Sequence, residues 1–138
     1  MATRREARER ALALCYEHEV KGEPLPPLLA DLPVPPDPYA ELLTRGVDEH
    51  LDELDAMLAT YSERWAVERM PAIDRALLRL GAYELAYQPD LPVGVVIDEA
   101  VDLAHRYSTQ DSGRFVNGLL SRIAEELRPT GSAEAPAP

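Results

Sequence analysis

The chain has 138 residues, of which 46% are hydrophobic and 28% are charged, and this predicts one folded domain with a single hydrophobic core. Its formal net charge of -11 excludes a protein that holds nucleic acid through a generally basic surface, so any contact with phosphates must be local. The single cysteine, the lack of a basic-then-apolar leader and the lack of a long apolar run predict a cytoplasmic protein without a membrane segment.

The first predicted helix runs from about Thr3 to Val20, where apolar residues recur at helical spacing. Thr3 and Glu6 have the spacing of a capping box, so we expect the helix to begin near Thr3. Residues 1–10 contain four arginines and two glutamates, a net charge of +2, which leaves -13 for residues 11–138. The sequence therefore predicts a basic N-terminal segment, residues 1–10, called the basic tip below, and an acidic remainder of the chain, residues 11–138, called the acidic body.

The basic tip is the first candidate binding site. Positive charges in the first turn of a helix oppose its dipole, so Arg4 and Arg5 stand where a purely structural sequence favours acidic residues. Arg8 lies one turn beyond Arg4 on the same face, and the planar guanidinium of arginine suits phosphate and stacks on bases. The alternative is an ordinary solvated surface in which Glu6 and Glu9 pair with these arginines.

Residues 22–38 contain seven of the thirteen prolines and predict an extended connection inside the domain, because proline disrupts the interior of a helix. Residues 39–61 then have the pattern of one amphipathic helix. Its apolar stripe comprises Leu43, Val47, Leu51, Leu54, Leu58 and Tyr61. The opposite side is rich in aspartate and glutamate, so this helix is expected to supply much of the acidic surface.

Three more helices are predicted over residues 73–87, 96–107 and 112–127, before a tail at residues 129–138. The first of them is apolar most of the way round, so we expect it to be central to the core. No alternating strand pattern is present. The sequence therefore predicts an all-α fold, an irregular helical bundle formed by residues 1–128 as a single domain.

The helix predicted over residues 96–107 raises the question of metal binding. Asp98, Glu99, Asp102 and His105 lie within eight residues, and the last two have the spacing of half a di-metal carboxylate site. No second copy of this motif is present, and the acidic residues alternate with the apolar stripe in the manner of a solvated face. Since nucleophile elbows, P-loops and dinucleotide-binding glycine patterns are also absent, the sequence predicts a protein that is not an enzyme and binds no metal or cofactor.

The segment QDSGRFVNG, residues 110–118, is the second candidate binding site. Asp111 or Ser112 is expected to cap the last helix and to leave the first amides of that helix free beside Arg114. Gly113 lets another backbone approach closely. This combination suits an anion.

The same segment also has a purely structural interpretation. Phe115 then belongs to the core, Asn117 bonds locally and Gly118 permits a close helix crossing. A glycine inside a helix costs about 1 kcal/mol relative to alanine, which favours a packing reason for Gly118 but does not require a ligand.

Three stretches of the chain resemble the NusB family of bacterial transcription antitermination factors. They are RREARERALALCYEHE, ERWAVERMPAIDRALLRLGAYELAY and DLPVGVVIDEAVDLAHRYSTQDSGRFVNGLLSRIAEE, and the similarity covers about residues 4–127 in order. The resemblance implies an all-helical fold of two packed helical subdomains. It also implies a cytoplasmic protein that pairs with NusE, a small-subunit ribosomal protein, and binds the boxA element of nascent RNA, notably in ribosomal RNA operons. Such a protein acts within the RNA polymerase antitermination complex.

The resemblance implies two groups of site residues. Those expected to bind RNA are Arg4, Arg5, Arg8, Arg10, Asp111, Ser112, Gly113, Arg114, Phe115 and Asn117. Those expected to bind NusE are Tyr16, Tyr83 and Glu84. Glu84 lies on an otherwise apolar helix, so a basic side chain of the partner would satisfy its charge; the alternative is a water-exposed edge position.

Two features set this chain apart from the family pattern. The arginine cluster is diluted by Glu6 and Glu9, and the rest of the chain is strongly acidic. We therefore expect RNA binding to depend on NusE, whose basic surface would offset the acidic body. The alternative function is a protein-only interaction module, or a homodimer that masks the RNA-binding face. An RNA methyltransferase with a NusB-like domain is disfavoured because it needs a separate cofactor-binding domain.

Overall fold

The structure is a computed structural model that describes residues 2–63 and 65–129. Over these residues it consists of helices and their connections, which confirms the predicted all-α fold. The helices are α1 (Arg4–Lys21), α2 (Leu25–Ala30), α3 (Pro38–Glu49), α4 (Leu51–Tyr61), α5 (Ala72–Tyr87), α6 (Val93–Tyr107) and α7 (Gln110–Leu127), with a 3-10 turn at Val67–Arg69. Apart from Pro129, the predicted tail lies outside the described residues. None of the described helices is long and apolar enough to cross a membrane.

Helix α5 is the centre of the bundle, as its apolar pattern predicts. It packs against α1 and α3 on one side and against α6 and α7 on the other, while α4 packs on both α5 and α7. Leu77 and Leu78 of α5 are almost completely buried. The bundle therefore has an N-terminal group of helices, α1 and α3, and a C-terminal group, α4, α6 and α7, which share α5.

The start of α1 is set by the predicted capping box. The Thr3 hydroxyl accepts a hydrogen bond from the Glu6 amide at 3.1 Å, and the Glu6 carboxylate accepts one from the Thr3 amide at 2.9 Å. At the other end Gly22 ends the helix with a φ of 69°, in the left-handed region that favours glycine. Both ends of α1 are thus determined by contacts within one turn.

Two predictions about residues 22–61 are wrong in detail. The proline-rich connection is not wholly extended, because α2 forms within it. Prolines are accepted in the first turn of a helix, where the amide has no intrahelical acceptor, and Leu25 and Leu28 of α2 are buried. The single helix expected over residues 39–61 is broken at His50, whose φ of -113° is not helical. The break lets α3 pack against α1 while α4 turns toward α7.

Gly81 and Gly118 both lie inside helices, but their surroundings differ. A Cβ atom at Gly81 would lie 2.7 Å from Cδ1 of Leu120, which has no exposed surface. At Gly118 the nearest atom would be Nη1 of Arg122 at 3.8 Å, which is an ordinary contact. The close helix crossing expected at Gly118 therefore occurs at Gly81 instead.

These surroundings predict opposite effects of the same substitution. Gly81→Ala is expected to lower the free energy of unfolding by about 1–3 kcal/mol, because the added methyl group overpacks the α5–α7 contact. Gly118→Ala is expected to raise it by about 0.5–1 kcal/mol, because alanine favours the helix and restricts the unfolded chain. Urea denaturation of both variants beside the wild type measures the two effects. Changes of the same sign would contradict the assigned packing.

Candidate nucleic-acid interface

Two of the four N-terminal arginines point outward from α1. Arg4 is exposed and places its guanidinium 3.8 Å from the centre of the Tyr39 ring, a cation–π contact. Arg5 is also exposed, and its Nε and Nη2 donate to a carboxylate oxygen of Glu99 on α6 at 3.1 and 2.9 Å. Its Nη1 lies 3.8 Å from the carboxylate of Asp102. Both guanidinium groups are therefore accessible, but only Arg5 is held by carboxylates.

Arg8 points inward and forms a buried ion pair with Glu84 of α5. The two side chains are only 7% and 3% exposed, and Arg8 Nε donates to the two Glu84 oxygens at 3.1 and 3.0 Å. The hydroxyl of Tyr39 donates a further hydrogen bond to Glu84. Burial and this bond raise the pKa of Tyr39, which keeps the phenol a neutral donor.

This arrangement corrects the expected surroundings of Arg8 and Glu84. Glu84 is satisfied by Arg8 and Tyr39 of the same chain, so its charge does not require a partner protein, and it is not a water-exposed edge position either. Arg8 does not extend the outward face of Arg4, because its guanidinium is drawn into the bundle by Glu84. Spacing along α1 alone does not reveal this, since the carboxylate comes from a helix far along the chain.

Arg10 and the two glutamates of α1 are also engaged elsewhere. Arg10 Nη2 donates to the carbonyl of Val34 at 2.6 Å and so ties α1 to the proline-rich connection. Glu6 belongs to the capping box, and Glu9 pairs with Arg106 of α6 at 3.2 Å. The alternative in which Glu6 and Glu9 form ion pairs with the arginines of α1 is therefore wrong. The carboxylates that pair with Arg5 come from α6, where the sequence predicted a solvated acidic face.

The helix of the second candidate segment is capped two or three residues earlier than expected. Helix α7 starts at Gln110, and its N-cap is Thr109, whose hydroxyl accepts from the Ser112 amide at 3.2 Å. Neither Asp111 nor Ser112 is the cap. Threonine, aspartate and serine are all favoured caps, so composition does not distinguish among the three.

The side chain of Ser112 is instead part of a buried polar contact with α5. Ser112 is 3% exposed, and its hydroxyl donates to Asp74 at 2.8 Å, while the hydroxyl of Ser108 donates to the other Asp74 oxygen at 2.5 Å. Gly113 is buried as well, and a Cβ atom there would overlap the imidazole of His105. Ser112 holds the start of α7 on α5, and Gly113 lets α7 approach His105 of α6, so both residues position the segment in this structure.

The exposed residues of this segment are Gln110, Asp111, Arg114 and Asn117. Arg114 forms no ion pair with any residue that the structure describes. Asn117 accepts a hydrogen bond from the Ser121 hydroxyl at 3.1 Å. Asn117 and the open side of Gly118 lie three and four residues after Arg114, so the three positions share one face of α7 that is accessible to a ligand.

Phe115 is half-buried beside a surface cavity of about 240 Å³. The cavity is lined by Trp65, Pro71, Asp74, Thr109, Asp111, Ser112 and Phe115. Trp65 is 40% exposed and was not among the predicted site residues. It is the only tryptophan of the chain, but no helical pattern connects it with α7, so only the tertiary structure brings it to this site.

The two candidate segments lie at different positions along α6: Arg5 of the first faces the middle of that helix, whereas the second follows its C-terminal end. Arg5 contacts Asp102, and Glu9, one turn further along α1, contacts Arg106, one turn further along α6. The two helices therefore run in the same direction, and α7 starts just after the end of α6. The fold thus brings the start of α7 to the end of α6 that Glu9 contacts.

The candidate residues for a protein partner are spread over three environments. Tyr16 is exposed on α1, whereas Glu84 is buried beneath Arg8. Tyr83 is 8% exposed and packs so closely against Gly46 of α3 that a Cβ atom there would overlap its ring. Its ring also stacks on Tyr87 at a centroid distance of 5.2 Å. Tyr83 lines a groove of about 500 Å³, so its edge remains reachable from outside.

The residues considered for metal binding have other roles in the structure. Asp102 faces Arg5, and His105 packs over Gly113. The described part of the chain contains no group of three or more histidine, cysteine or acidic side chains that could hold a metal ion. Asp102 and His105 therefore contribute to interhelical contacts rather than to a shared site.

Comparison with known proteins identifies the family. The NusB family profile matches residues 5–125. A transcription antitermination protein NusB from Kineococcus radiotolerans is 47% identical over 137 residues, covering 96% of this chain and all of that protein. The structure of T. maritima NusB superposes with a TM-score of 0.82 and 37% identity, covering 91% of this chain and 92% of that one. A structure of antitermination factors NusB and NusE in complex with dsRNA matches with a TM-score of 0.76 and 28% identity, covering 89% and 96% of the two chains. On both sequence and fold, this chain belongs to the NusB family.

Proposed function

We propose that this chain is a transcription antitermination factor that pairs with NusE and binds boxA RNA of nascent transcripts, notably those of ribosomal RNA operons. The observation that carries the proposal is the similarity over nearly the whole length to proteins named transcription antitermination protein NusB, at 47% identity for the Kineococcus relative. A family member of the same fold has been solved with NusE and dsRNA. The proposed site of action is the RNA polymerase antitermination complex in the cytoplasm.

The mechanism is assembly without bond chemistry. The helical body supplies a preformed surface for NusE, on which Tyr16 and the groove beside Tyr83 are the accessible candidates. Phosphates are bound by outward arginines, of which Arg4 and Arg114 form no ion pair with any described residue. Unpaired bases then stack on exposed rings or hydrogen-bond to exposed amides beside α7. No step of this assembly requires a catalytic residue, metal or cofactor.

The charge distribution makes RNA binding depend on NusE. Residues 11–138 carry a net charge of -13, and this repels a polyanion at distances up to the Debye length. Arg8 and Arg10, two of the four arginines of the basic tip, are used by the fold and do not offset this charge at the surface. A basic partner that covers part of the acidic body would restore a positive surface around Arg4 and Arg5.

Binding of a labelled boxA RNA across a salt series tests the proposal. The protein is measured with and without its cognate NusE, and against a scrambled RNA of the same length. We expect sequence-selective binding that strengthens when NusE is added, with an affinity that falls as salt rises because phosphate contacts release counterions. Salt weakens purely electrostatic binding, so the comparison is made at 0.2 M salt. If the protein binds boxA RNA there with the same affinity with and without NusE, RNA binding does not depend on the partner.

The second candidate function is a protein-only interaction module or a homodimer. It is favoured by the internal neutralisation of Arg5 and Arg8 and by the exposed aromatic and aliphatic side chains of Tyr16, Val20 and Leu42. Confirmed NusE pairing without selective RNA binding would support the interaction module. A concentration-dependent increase in mass by sedimentation, reversed by RNA, would support the homodimer.

A further inference from the structure

Resting on the proposed RNA-binding function, we propose that Glu99 and Asp102 of α6 set the RNA affinity of this protein by occupying the guanidinium of Arg5 in place of a phosphate. These two carboxylates belong to neither of the segments that the sequence singled out for RNA. They act as an internal competitor that any RNA must displace in order to reach Arg5.

The geometry of the contact is that of a guanidinium bound to an anion. Nε and Nη2 of Arg5 lie 3.1 and 2.9 Å from the same oxygen of Glu99, and Nη1 lies 3.8 Å from Asp102. Two adjacent N–H groups directed at one anionic oxygen are the donors that a phosphate would use. Arg5 is nevertheless 55% exposed, so a phosphate can approach it from solvent while the carboxylates are in place.

The contact can open without disturbing the core. Helices α1 and α6 both pack on α5, and they meet each other chiefly through long polar side chains. The bridging contacts are Arg5 with Glu99 and Asp102, Arg8 with Glu99 at 3.9 Å, and Glu9 with Arg106 and the hydroxyl of Tyr107. Release of Arg5 therefore needs a change of side-chain rotamers and no separation of apolar surfaces.

Asp102 adds repulsion to the competition. Its Oδ2 atom forms no hydrogen bond with any described residue, and its nearest described cation is Arg5 at 3.8 Å. A carboxylate balanced so incompletely retains charge that opposes an incoming phosphate. Arg4, by contrast, lies over the Tyr39 ring without an ion pair to a described residue, and it needs no release.

The contact of Arg5 with Glu99 and Asp102 is weak enough for a tightly binding RNA to displace it. Exposed ion pairs contribute little, so an RNA that makes further contacts with the protein and NusE can displace the carboxylates. An RNA that makes only phosphate contacts binds more weakly to begin with, and competition by the carboxylates lowers its affinity by a similar factor. The carboxylates thus lower all RNA affinities and push non-selective binding to higher concentrations.

The test replaces the two carboxylates by their amides, Glu99→Gln with Asp102→Asn, in the full chain with NusE present. We expect the dissociation constant for boxA RNA to fall about three- to tenfold, from the loss of one exposed ion pair and of nearby repulsion. The affinity for scrambled RNA should rise by a similar factor. The control variant, Glu125→Gln with Glu126→Gln, removes the same charge from exposed positions that form no ion pair with described residues, about 22 Å along α7 from its start.

The same substitutions in an Arg5→Ala background separate competition from a general change of charge. If the carboxylates act through Arg5, the gain there shrinks to that of the control variant, as in a double-mutant cycle. Two outcomes overturn the inference while leaving the proposed function in place. In the first, the gain in RNA affinity in the wild-type background is no larger than that of the control variant. In the second, the gain is undiminished in the Arg5→Ala background. Absence of RNA binding by every variant, including the wild type with NusE, overturns both. Thermal melting of each variant confirms that it is folded.

Discussion

Arg8→Ala is expected to lower the free energy of unfolding by about 3–5 kcal/mol, because it leaves the carboxylate of Glu84 buried without its cation. Both side chains are almost fully buried, and Arg8 bonds both oxygens of Glu84. Tyr39 remains as a neutral donor but cannot balance the charge. Urea denaturation monitored by circular dichroism measures the loss. A loss below about 1 kcal/mol, the value typical of an exposed pair, would contradict the assigned burial.

A second variant separates the loss of charge balance from the loss of packing. Glu84→Gln keeps an acceptor for Tyr39 and removes the negative charge. Combined with Arg8→Ala, it is expected to recover at least half of the lost stability, because the uncompensated charge is gone. Arg45→Ala is the matched control, since Arg45 pairs with Glu41 on the surface of α3 with both side chains more than 40% exposed. That substitution should change stability by less than about 0.5 kcal/mol.

Arg4→Ala with Arg5→Ala is expected to weaken boxA RNA binding in the presence of NusE by about 10- to 100-fold, because two charge-assisted phosphate contacts are lost. The dependence of log K on log salt should become shallower by about 1.4, since each phosphate contact with single-stranded nucleic acid contributes about 0.7. Both side chains are exposed, and neither takes part in the core. Fluorescence anisotropy over a salt series measures the affinity and the slope together.

The control for this variant removes the same charge elsewhere. Lys21→Ala with Arg69→Ala changes two exposed cations, one in the last turn of α1 and one in the 3-10 turn before α5. It should leave the salt slope unchanged and lower the affinity by no more than a few-fold. NusE pairing should persist in both variants. If the control variant weakens RNA binding as much as the double arginine variant does, the affinity depends on the net charge of the protein. Arg4 and Arg5 are then not specific contacts of the RNA.

The candidate site could be predicted in part. The basic tip could be predicted from composition, and Arg4 and Arg5 are exposed in the first turn of α1, as expected. The inward orientation of the Arg8 side chain could not be predicted, because its carboxylate partner lies 76 positions further along the chain. Trp65 and the carboxylates of α6 were missed as neighbours of the site for the same reason. Periodicity identifies the exposed face of a helix but does not show which other helix lies opposite to it.

The sequence by itself determined the all-α class, the central apolar helix, the start of α1 and the location of the basic charge, because these depend on helical periodicity and on contacts within one turn. Only the tertiary structure decided which charges remain available. It buried Arg8 against Glu84, placed Glu99 and Asp102 opposite Arg5, and moved the close helix crossing from Gly118 to Gly81. Each of these outcomes is set by helices packed around α5, where a buried charge must be paired and an added methyl group must find space.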